Sequence, residues 1–359
     1  MSDPSLSEAT HQAVERDSLM KLCQCGGRHF NRLTFDPLRD PPTPEEGPMR
    51  DYLRFYRLEF DNIAGTTTRS GHLELAGYCI AAHYWLPAVA RGTVFLVHGY
   101  FDHVGLYRHL VRFLLQQNLA VVAFDLPGHG ISSGERVSIA SFDRYVHVLA
   151  ALLERCRERL PQPWHGIGQS TGSAILLKYI MVTSPDRQDA PLSSVQLLCP
   201  LIRPVKWPLS VWIYRLSHRW RERVPRSYRP SSHDPEFLDF VARQDPLQDH
   251  YISVEWVGAM KRWIEEFQLL PPCDYPFHVI QGTADTTVDW RYNLTKMKAK
   301  LTRARFTLID GARHQLVNEA PAIRQRVFEA LTPNLAATHS LAPETTARSG
   351  ALHPSDQSV

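Results

Sequence analysis

Cysteine is scarce, with six in 359 residues, too few for a disulfide scaffold. Net charge is scarce as well. Forty Lys and Arg stand against 37 Asp and Glu, leaving +3. That excludes a basic footprint over the whole chain and speaks against a nucleic-acid partner, while leaving room for a local patch. Long apolar runs are missing. Those near Val94–Val97 and Leu119–Phe124 are strand-sized, far short of the ~20 residues of a membrane-spanning helix. Met1–Thr10 has no basic region followed by an apolar one, so no secretory signal is expected. What is present, 43% hydrophobic and 21% charged residues, is the balance of a soluble globular protein. The length suits one large domain with an insertion, or two domains, with enough chain to bury a full core.

Residues 1–50 read as a weakly ordered extension. Five prolines between Pro37 and Pro48 leave no room for a regular element there. Cys23, Cys25 and His29 lack the spacing of a zinc site and no second pair follows, so no metal is expected. Order is expected from near Met49, with Leu53, Tyr56 and Leu58 forming a short apolar pattern. His72–Leu75 and Tyr78–Tyr84 alternate as strands do. Gly92–Gly99 and Leu119–Asp125 are short continuous apolar runs, as for strands buried on both faces. Leu106–Gln117, Phe142–Leu160 and Ala174–Met181 have helical spacing, and Val195–Leu198 is another strand. The alternation resumes with a strand at Pro276–Ile280, a helix at Tyr292–Leu301, a strand at Phe306–Ile309 and a helix at Ala322–Leu331. Alternating strands and helices predict an α/β fold, a mostly parallel sheet with helices on both faces. The predicted core domain is 51–199 plus 273–332. Residues 200–272, rich in Trp, Arg and Pro, read as an inserted, mainly helical cap. Residues 333–359 have no periodic apolar face and read as a disordered tail.

Gly168-Gln169-Ser170-Thr171-Gly172 fits G-x-S-x-G, a turn that exposes a serine hydroxyl between strand and helix. The glycines remove Cβ clashes at a strained position. Such a pattern arises by chance in about one chain in ten of this length, so its setting matters more: an apolar run precedes it and a helical stretch follows. A serine needs a base to take its proton, and a carboxylate must orient that base. In the matching chain order, Asp285 in Gly282-Thr283-Ala284-Asp285 is the acid, with Asp289 its rival, and His314 in Gly311-Ala312-Arg313-His314 is the base. Both follow strands, at the edge where such sheets carry their sites. An oxyanion hole needs two backbone N–H groups. Thr171 and Tyr100, in His98-Gly99-Tyr100, are positioned to supply them. The Tyr100 ring reads equally as a pocket wall or a packed aromatic.

His98–His103, Phe124–Arg136, the elbow, and the Asp285 and His314 segments resemble the α/β-hydrolase superfamily. Gly128-His129-Gly130-Ile131-Ser132-Ser133-Gly134-Glu135-Arg136 and Gly311-Ala312-Arg313-His314 with Glu319 resemble more narrowly its monoacylglycerol lipase and lysophospholipase branch. The resemblance covers about Tyr52–Leu331. It implies a hydrolase of carboxylic esters with Ser170, Asp285 and His314 as triad, Tyr100 and Thr171 as oxyanion donors, and no cofactor. It makes Asp125 and His129 structural. Two positions depart from the pattern: Gln169 stands where His is usual before the nucleophile, and Ser173 where Gly is often found.

The cap is uneven in charge. Pro200–Pro230 holds eight basic residues and one acid, Glu222, a local +7 that leaves the rest of the chain at −4. Leu209, Trp212, Ile213, Leu216 and Trp220 fall at helical spacing with the arginines largely off that face. Such a helix either covers the pocket with its apolar face or lies at a lipid surface. The expected function is hydrolysis of esters with apolar acyl groups, by a cytoplasmic protein or one peripheral at a membrane. The alternatives are another serine hydrolase of this fold, an aminopeptidase or thioesterase, and a non-catalytic binding protein. An aminopeptidase would use cap acids such as Glu236, Asp239, Glu265 or Glu266 to hold a free amine; the basic entry segment argues against it.

Overall fold

The computed structural model describes residues 31–184 and 190–336. Its centre is an eight-stranded sheet of β1 (Thr67–Leu75), β2 (Tyr78–Leu86), β3 (Thr93–Val97), β4 (Ala120–Phe124), β5 (Trp164–Gln169), β6 (Ser194–Leu198), β9 (His278–Gly282) and β10 (Arg305–Ile309). The order across the sheet is β1-β2-β4-β3-β5-β6-β9-β10. Only β1–β2 and β2–β4 pair antiparallel, and every later pairing is parallel. Strands β3 to β6 are buried along their whole length, which is why they read as continuous apolar runs rather than alternating ones.

Successive side chains of a strand point to opposite faces, and the core divides accordingly. Phe95 and Val97 enter one apolar cluster with helices α3 (Phe142–Cys156) and α4 (Thr171–Thr183). Val94 and Leu96 enter the other, with α1 (Pro48–Phe55), α2 (Arg108–Gln116) and α9 (Pro321–Ala336). The predicted doubly covered sheet is the observed one.

Between β6 and β9 lies the inserted segment, with α5 (Trp207–Ser217), β7 (Arg223–Pro225), α6 (Pro235–Asp239), β8 (Tyr251–Ser253) and α7 (Val254–Leu269). It is mainly helical, as expected, with a small antiparallel β7–β8 pair that the sequence reading did not contain. Helix α7 is rooted in the main core through Trp256, Met260, Trp263 and Phe267. Lys178 of α4, almost wholly buried, lies 2.6 Å from Asp143 of α3 and 2.5 Å from Glu266 of α7, tying cap to core. After β9 come α8 (Trp290–Lys300) and β10. No helix among the described residues is long and apolar enough to cross a membrane.

Two boundary expectations change. Residues 31–50 are not a loose extension: Leu33 and Phe35 are in the core, and Asp40 is buried while accepting from Thr34 N, Phe35 N and Tyr84 OH. The prolines at 37, 41, 42 and 44 leave that stretch without helix or strand and lie toward solvent while Leu33, Phe35 and Asp40 are buried, and Pro48, at the first position of α1, opens a helix rather than excluding one. At the other end α9 runs through Pro333 to Ala336, with Leu335 buried and its carbonyl accepting from Arg91 at 2.7 Å. The rest of the predicted disordered tail, and Cys23, Cys25 and His29, lie outside the described residues.

If the Leu33–Asp40 segment is structural, Phe35→Ala should lower unfolding free energy by about 3 kcal/mol, as for other buried aromatics. Chemical denaturation measures it; a loss below about 1 kcal/mol would mean the segment is peripheral.

Candidate active site

Strand β5 ends at Gln169 and α4 begins at Thr171, leaving Ser170 alone in the turn. Its backbone is strained, with φ 54° and ψ −109°, a cost of order 1–3 kcal/mol for a non-glycine residue. The neighbours hold it there. Ser170 N donates to Leu198 O at 2.8 Å, and Ser170 O accepts from Ala174 N and Leu201 N. A Cβ at Gly168 would collide with Gly172, and one at Gly172 would overlap the carbonyl of Val97 at the end of β3. The two glycines therefore allow the turn to close and α4 to lie against β3. Ser173, where glycine is often found, places its hydroxyl 2.6 Å from Gly168 O and 3.1 Å from Leu198 O, pinning the ends of β5 and β6.

Asp285 and His314 follow β9 and β10 and meet there: His314 Nδ1 lies 2.8 Å from Asp285 Oδ2. The carboxylate also accepts from Thr287 N (2.7 Å), Val288 N (3.1 Å) and Gln281 Nε2 (3.1 Å). Burial works against both charged forms, but the pair outweighs it. The Asp285 carboxyl is held below its ordinary pKa and the His314 imidazole above its own. An acceptor at Nδ1 leaves the proton on that nitrogen and frees Nε2 as a base. Asp289, the rival acid, is elsewhere employed. It pairs with Arg203 and caps α8 by accepting from Tyr292 N. The Gln169 side chain joins the two loops, its amide donating to His314 O at 2.8 Å. Among the described residues no hydrogen bond links Ser170 Oγ to His314.

The Tyr100 and Thr171 amides have no acceptor among the described residues. A Cβ on Gly99 would stand 3.4 Å from Ser170 Cβ, so the Gly99–Tyr100 turn lies directly against the serine. The Tyr100 ring is a packed aromatic: it stacks on Trp256 of the cap at 3.8 Å between centroids, and its hydroxyl donates to Val137 O. Asp125 accepts from Val104 N and Ile131 N, and His129 Nδ1 bonds to Pro127 O, which fixes the neighbouring loops.

Other groups carried no sequence signal. Asp102, buried, accepts from Tyr107 OH and Gln315 Nε2, both at 2.8 Å. Burial outweighs those bonds and raises its pKa. His103 Nε2 lies 2.9 Å from Asp245 of the cap, both side chains almost fully buried. Glu319, wholly buried, accepts from Arg313 N and from cap residue His233 N. Amides and long-range ion pairs make no local pattern. Only Glu319 had been singled out, by resemblance.

Cys199, Asp285 and His314 bring ligand-type atoms within 4.8 Å of one another. Both Asp285 oxygens already accept hydrogen bonds, and burial and Asp285 push the Cys199 thiol up so that it keeps its proton. The trio is an acid–base pair beside a thiol rather than a ligand set for zinc.

The profile of the family described as serine aminopeptidase, S33, matches residues 88–321, well over half the chain. The chain belongs to this family. Within it the chain is an α/β-hydrolase of the monoacylglycerol lipase branch. Monoglyceride lipase of Homo sapiens is 27% identical over 271 residues, spanning 70% of this chain and 85% of that protein. Two solved structures share the fold. A soluble variant of monoglyceride lipase from Saccharomyces cerevisiae, in complex with a substrate analog, aligns with TM-score 0.64 at 18% identity, covering 74% of this chain and 94% of its own. Paleococcus ferrophilus monoacylglycerol lipase aligns with TM-score 0.58 at 22% identity, covering 71% and 99%.

The family's elbow depends here on a close approach without side chains. Gly172→Ala should therefore destabilise the fold by about 3 kcal/mol or more through overpacking. A thermal melt within a degree or two of the parent would show that α4 can retreat from β3 freely.

Proposed function

We propose that this ester hydrolase of the monoglyceride lipase type cleaves esters of apolar acyl groups through an acyl-enzyme on Ser170. His314 Nε2 takes the proton of Ser170 Oγ as the hydroxyl attacks the ester carbonyl. Asp285 holds the imidazole in the required tautomer and stabilises the imidazolium. The Tyr100 and Thr171 amides receive the oxyanion. His314 then protonates the departing alcohol, and water repeats the sequence on the acyl-enzyme. The observation that carries the reading is the 2.8 Å Asp285–His314 hydrogen bond, with Gln169, the residue before the strained Ser170, donating its side-chain amide to His314 O.

An aminopeptidase remains the second reading, since it gives the family its name. It needs a carboxylate held out to a free amine. Asp239 is paired with Arg243, Glu265 with Lys261 and Glu266 with Lys178, and Glu236, which has no ion pair among the described residues, lines a cavity that Ser170, Asp285 and His314 do not line. Ester hydrolysis is favoured on that ground.

The reading extends to where the enzyme works. Leu209, Trp212, Ile213, Leu216 and Trp220 are 42–84% exposed, so this face of the cap covers no pocket. Helix α5 instead rests on α7 through Tyr214, beside Gly258. Five apolar side chains facing water beside an arginine-rich segment suit a cytoplasmic enzyme that docks on an anionic lipid surface.

Ser170→Ala should abolish both ester hydrolysis and labelling by a fluorophosphonate, with the fold intact; retained labelling would move the nucleophile elsewhere. Asp285→Asn should lower kcat by about 10³-fold or more, whereas Asp289→Asn should stay within a few-fold of the parent. His314 must be neutral to act, and Asp285 raises its pKa. The acid limb of kcat/KM should therefore lie above about 6.5 and move down in Asp285→Asn. A limb that does not move would detach the acid from His314.

A Trp212→Ala, Trp220→Ala double variant should lose most binding to vesicles containing phosphatidylglycerol while hydrolysing a soluble short-chain ester normally. Unchanged sedimentation with vesicles would remove the docking surface.

A further inference from the structure

A cavity of about 970 Å³ lies apart from the site above, and none of Ser170, Asp285, His314, Tyr100 or Thr171 lines it. It opens where three pieces of the chain meet: the end of α1 and the turn after it, the start of α2, and α6 with the π-helical turn that follows it in the cap. Its size is at the upper end of small-molecule sites, roughly 300–1,000 Å³.

Its walls are of two kinds. Phe55, Leu106, Phe237 and Phe240 form an apolar side, and Phe55 and Tyr56 both pack against the Phe240 ring, at 5.8 and 6.1 Å. Arg57 and Arg108 form a cationic side. No carboxylate oxygen of the described residues lies within 4.0 Å of either guanidinium. Arg108 spends one edge on His109, donating to its Nε2 at 3.2 Å. His109 is kept neutral, its pKa lowered to about 4 by burial and then by Arg324 and Arg108. The acids around the cavity are largely committed. Asp239 pairs with Arg243, and Asp234 caps α6 through Glu236 N and Phe237 N while its other oxygen lies 3.8 Å from Arg324. Glu236 remains on the rim. Burial, Arg57 and Arg324 each disfavour the charged form of Arg108. Asp234 and Glu236 favour that charged form but do not outweigh the other three influences, so the cationic wall is matched only at a distance, the condition an external anion in direct contact relieves.

We propose that this groove is a second, non-catalytic binding site for an amphiphilic organic anion, a phosphate or carboxylate head on an acyl tail. The head would sit between Arg57 and Arg108, and the tail along Phe55, Phe237 and Phe240. The site stands apart from the assignment of Ser170, but the two are mechanically joined. Tyr56 on the groove wall donates to Asp245 at 2.7 Å, and Asp245 pairs with His103, the residue after Asp102 in the loop against Ser170. An occupant would therefore meet Tyr56, whose hydroxyl donates to the buried pair that anchors cap to loop.

The test is titration of the full chain carrying Ser170→Ala, by calorimetry, with four probes below their critical micelle concentrations: dodecyl phosphate, laurate, inorganic phosphate and dodecyl maltoside. Dodecyl phosphate and laurate should bind at one site per chain. Arg57→Ala with Arg108→Ala should weaken them at least about tenfold, and Arg57→Lys with Arg108→Lys should restore much of the loss. The double alanine variant on an intact Ser170 should hydrolyse a short soluble ester at the parent rate. Unchanged affinity in the alanine variant would place the anion elsewhere, including the catalytic pocket, and overturn the site. Equal binding of dodecyl maltoside would overturn the anion requirement, and equal binding of inorganic phosphate the apolar half. If the alanine variant melts early, the lysine variant carries the comparison: it must bind more weakly than the parent but more tightly than no site.

Discussion

The architecture of the site depends on a contact made by no side chain, the backbone of Gly172 against the carbonyl of Val97. Helix α4 can begin one residue after Ser170 only because it lies that close to β3. The same closeness sets the Gly99–Tyr100 turn, which continues from β3, against the serine. One steric constraint thus fixes both the Ser170 turn and the Gly99–Tyr100 turn against it. The strain at Ser170 is held by backbone bonds to Leu198, Leu201 and Ala174, so it is distributed over three elements rather than stored in one turn. Glycine here acts by what it lacks, in a core otherwise as tightly packed as a molecular crystal.

The cap is joined to this frame by buried charge rather than by apolar area alone. His103–Asp245 links it to the loop after β3, Glu319 holds cap residue His233 to the His314 loop, and Lys178 holds Glu266 of α7. Burial opposes the imidazolium of His103 and the carboxylate of Asp245, yet the histidine's pKa is raised and the acid's lowered, so their mutual attraction exceeds the desolvation cost. Such pairs add little net stability over an apolar equivalent, but removing one partner leaves a buried charge that costs about 3–5 kcal/mol. They act as registration points. They favour one arrangement of the cap on the loops of Ser170 and His314, and the Tyr100 ring, stacked on Trp256, belongs to the same joint.

What could be read from the chain follows from which physical effects are local. Strands β3 to β6 and the helices between them announced themselves because double burial and 3.6-residue spacing act within a few positions. The elbow was legible because glycine flanking serine is a backbone requirement, and Asp285 and His314 because strand ends precede them. The packing of Leu33 and Phe35 was not legible, since nothing periodic connects them and the prolines nearby suggested disorder. Gln169, Gln281 and Gln315 place the loops of His314, Asp285 and Asp102 through amide hydrogen bonds, and amides leave no motif. His103 and Asp245 are 142 positions apart, a pairing that only the folded chain creates.

Charge shows the same limit. A net +3 described the whole chain correctly and its surface poorly. The excess lies in the first part of the cap, and the structure separates its arginines by task. Arg203 is committed to Asp289, and Arg223 to Glu135. Arg226 lies over the Phe101 ring at 3.8 Å and donates to Gln248. These three are parts of the fold rather than of a diffuse field. Arg219 and Arg221, beside the exposed Trp220, form no ion pair among the described residues, and they adjoin the exposed face of α5. On the proposed docking, a lipid surface would meet those two together with the exposed Lys206 and Arg215, which also form no ion pair among the described residues, a smaller set than the charge count. If that docking occurs, the apolar side chains of the helix would have to contribute alongside the basic ones, because exposed charges at physiological salt act over only about 8 Å.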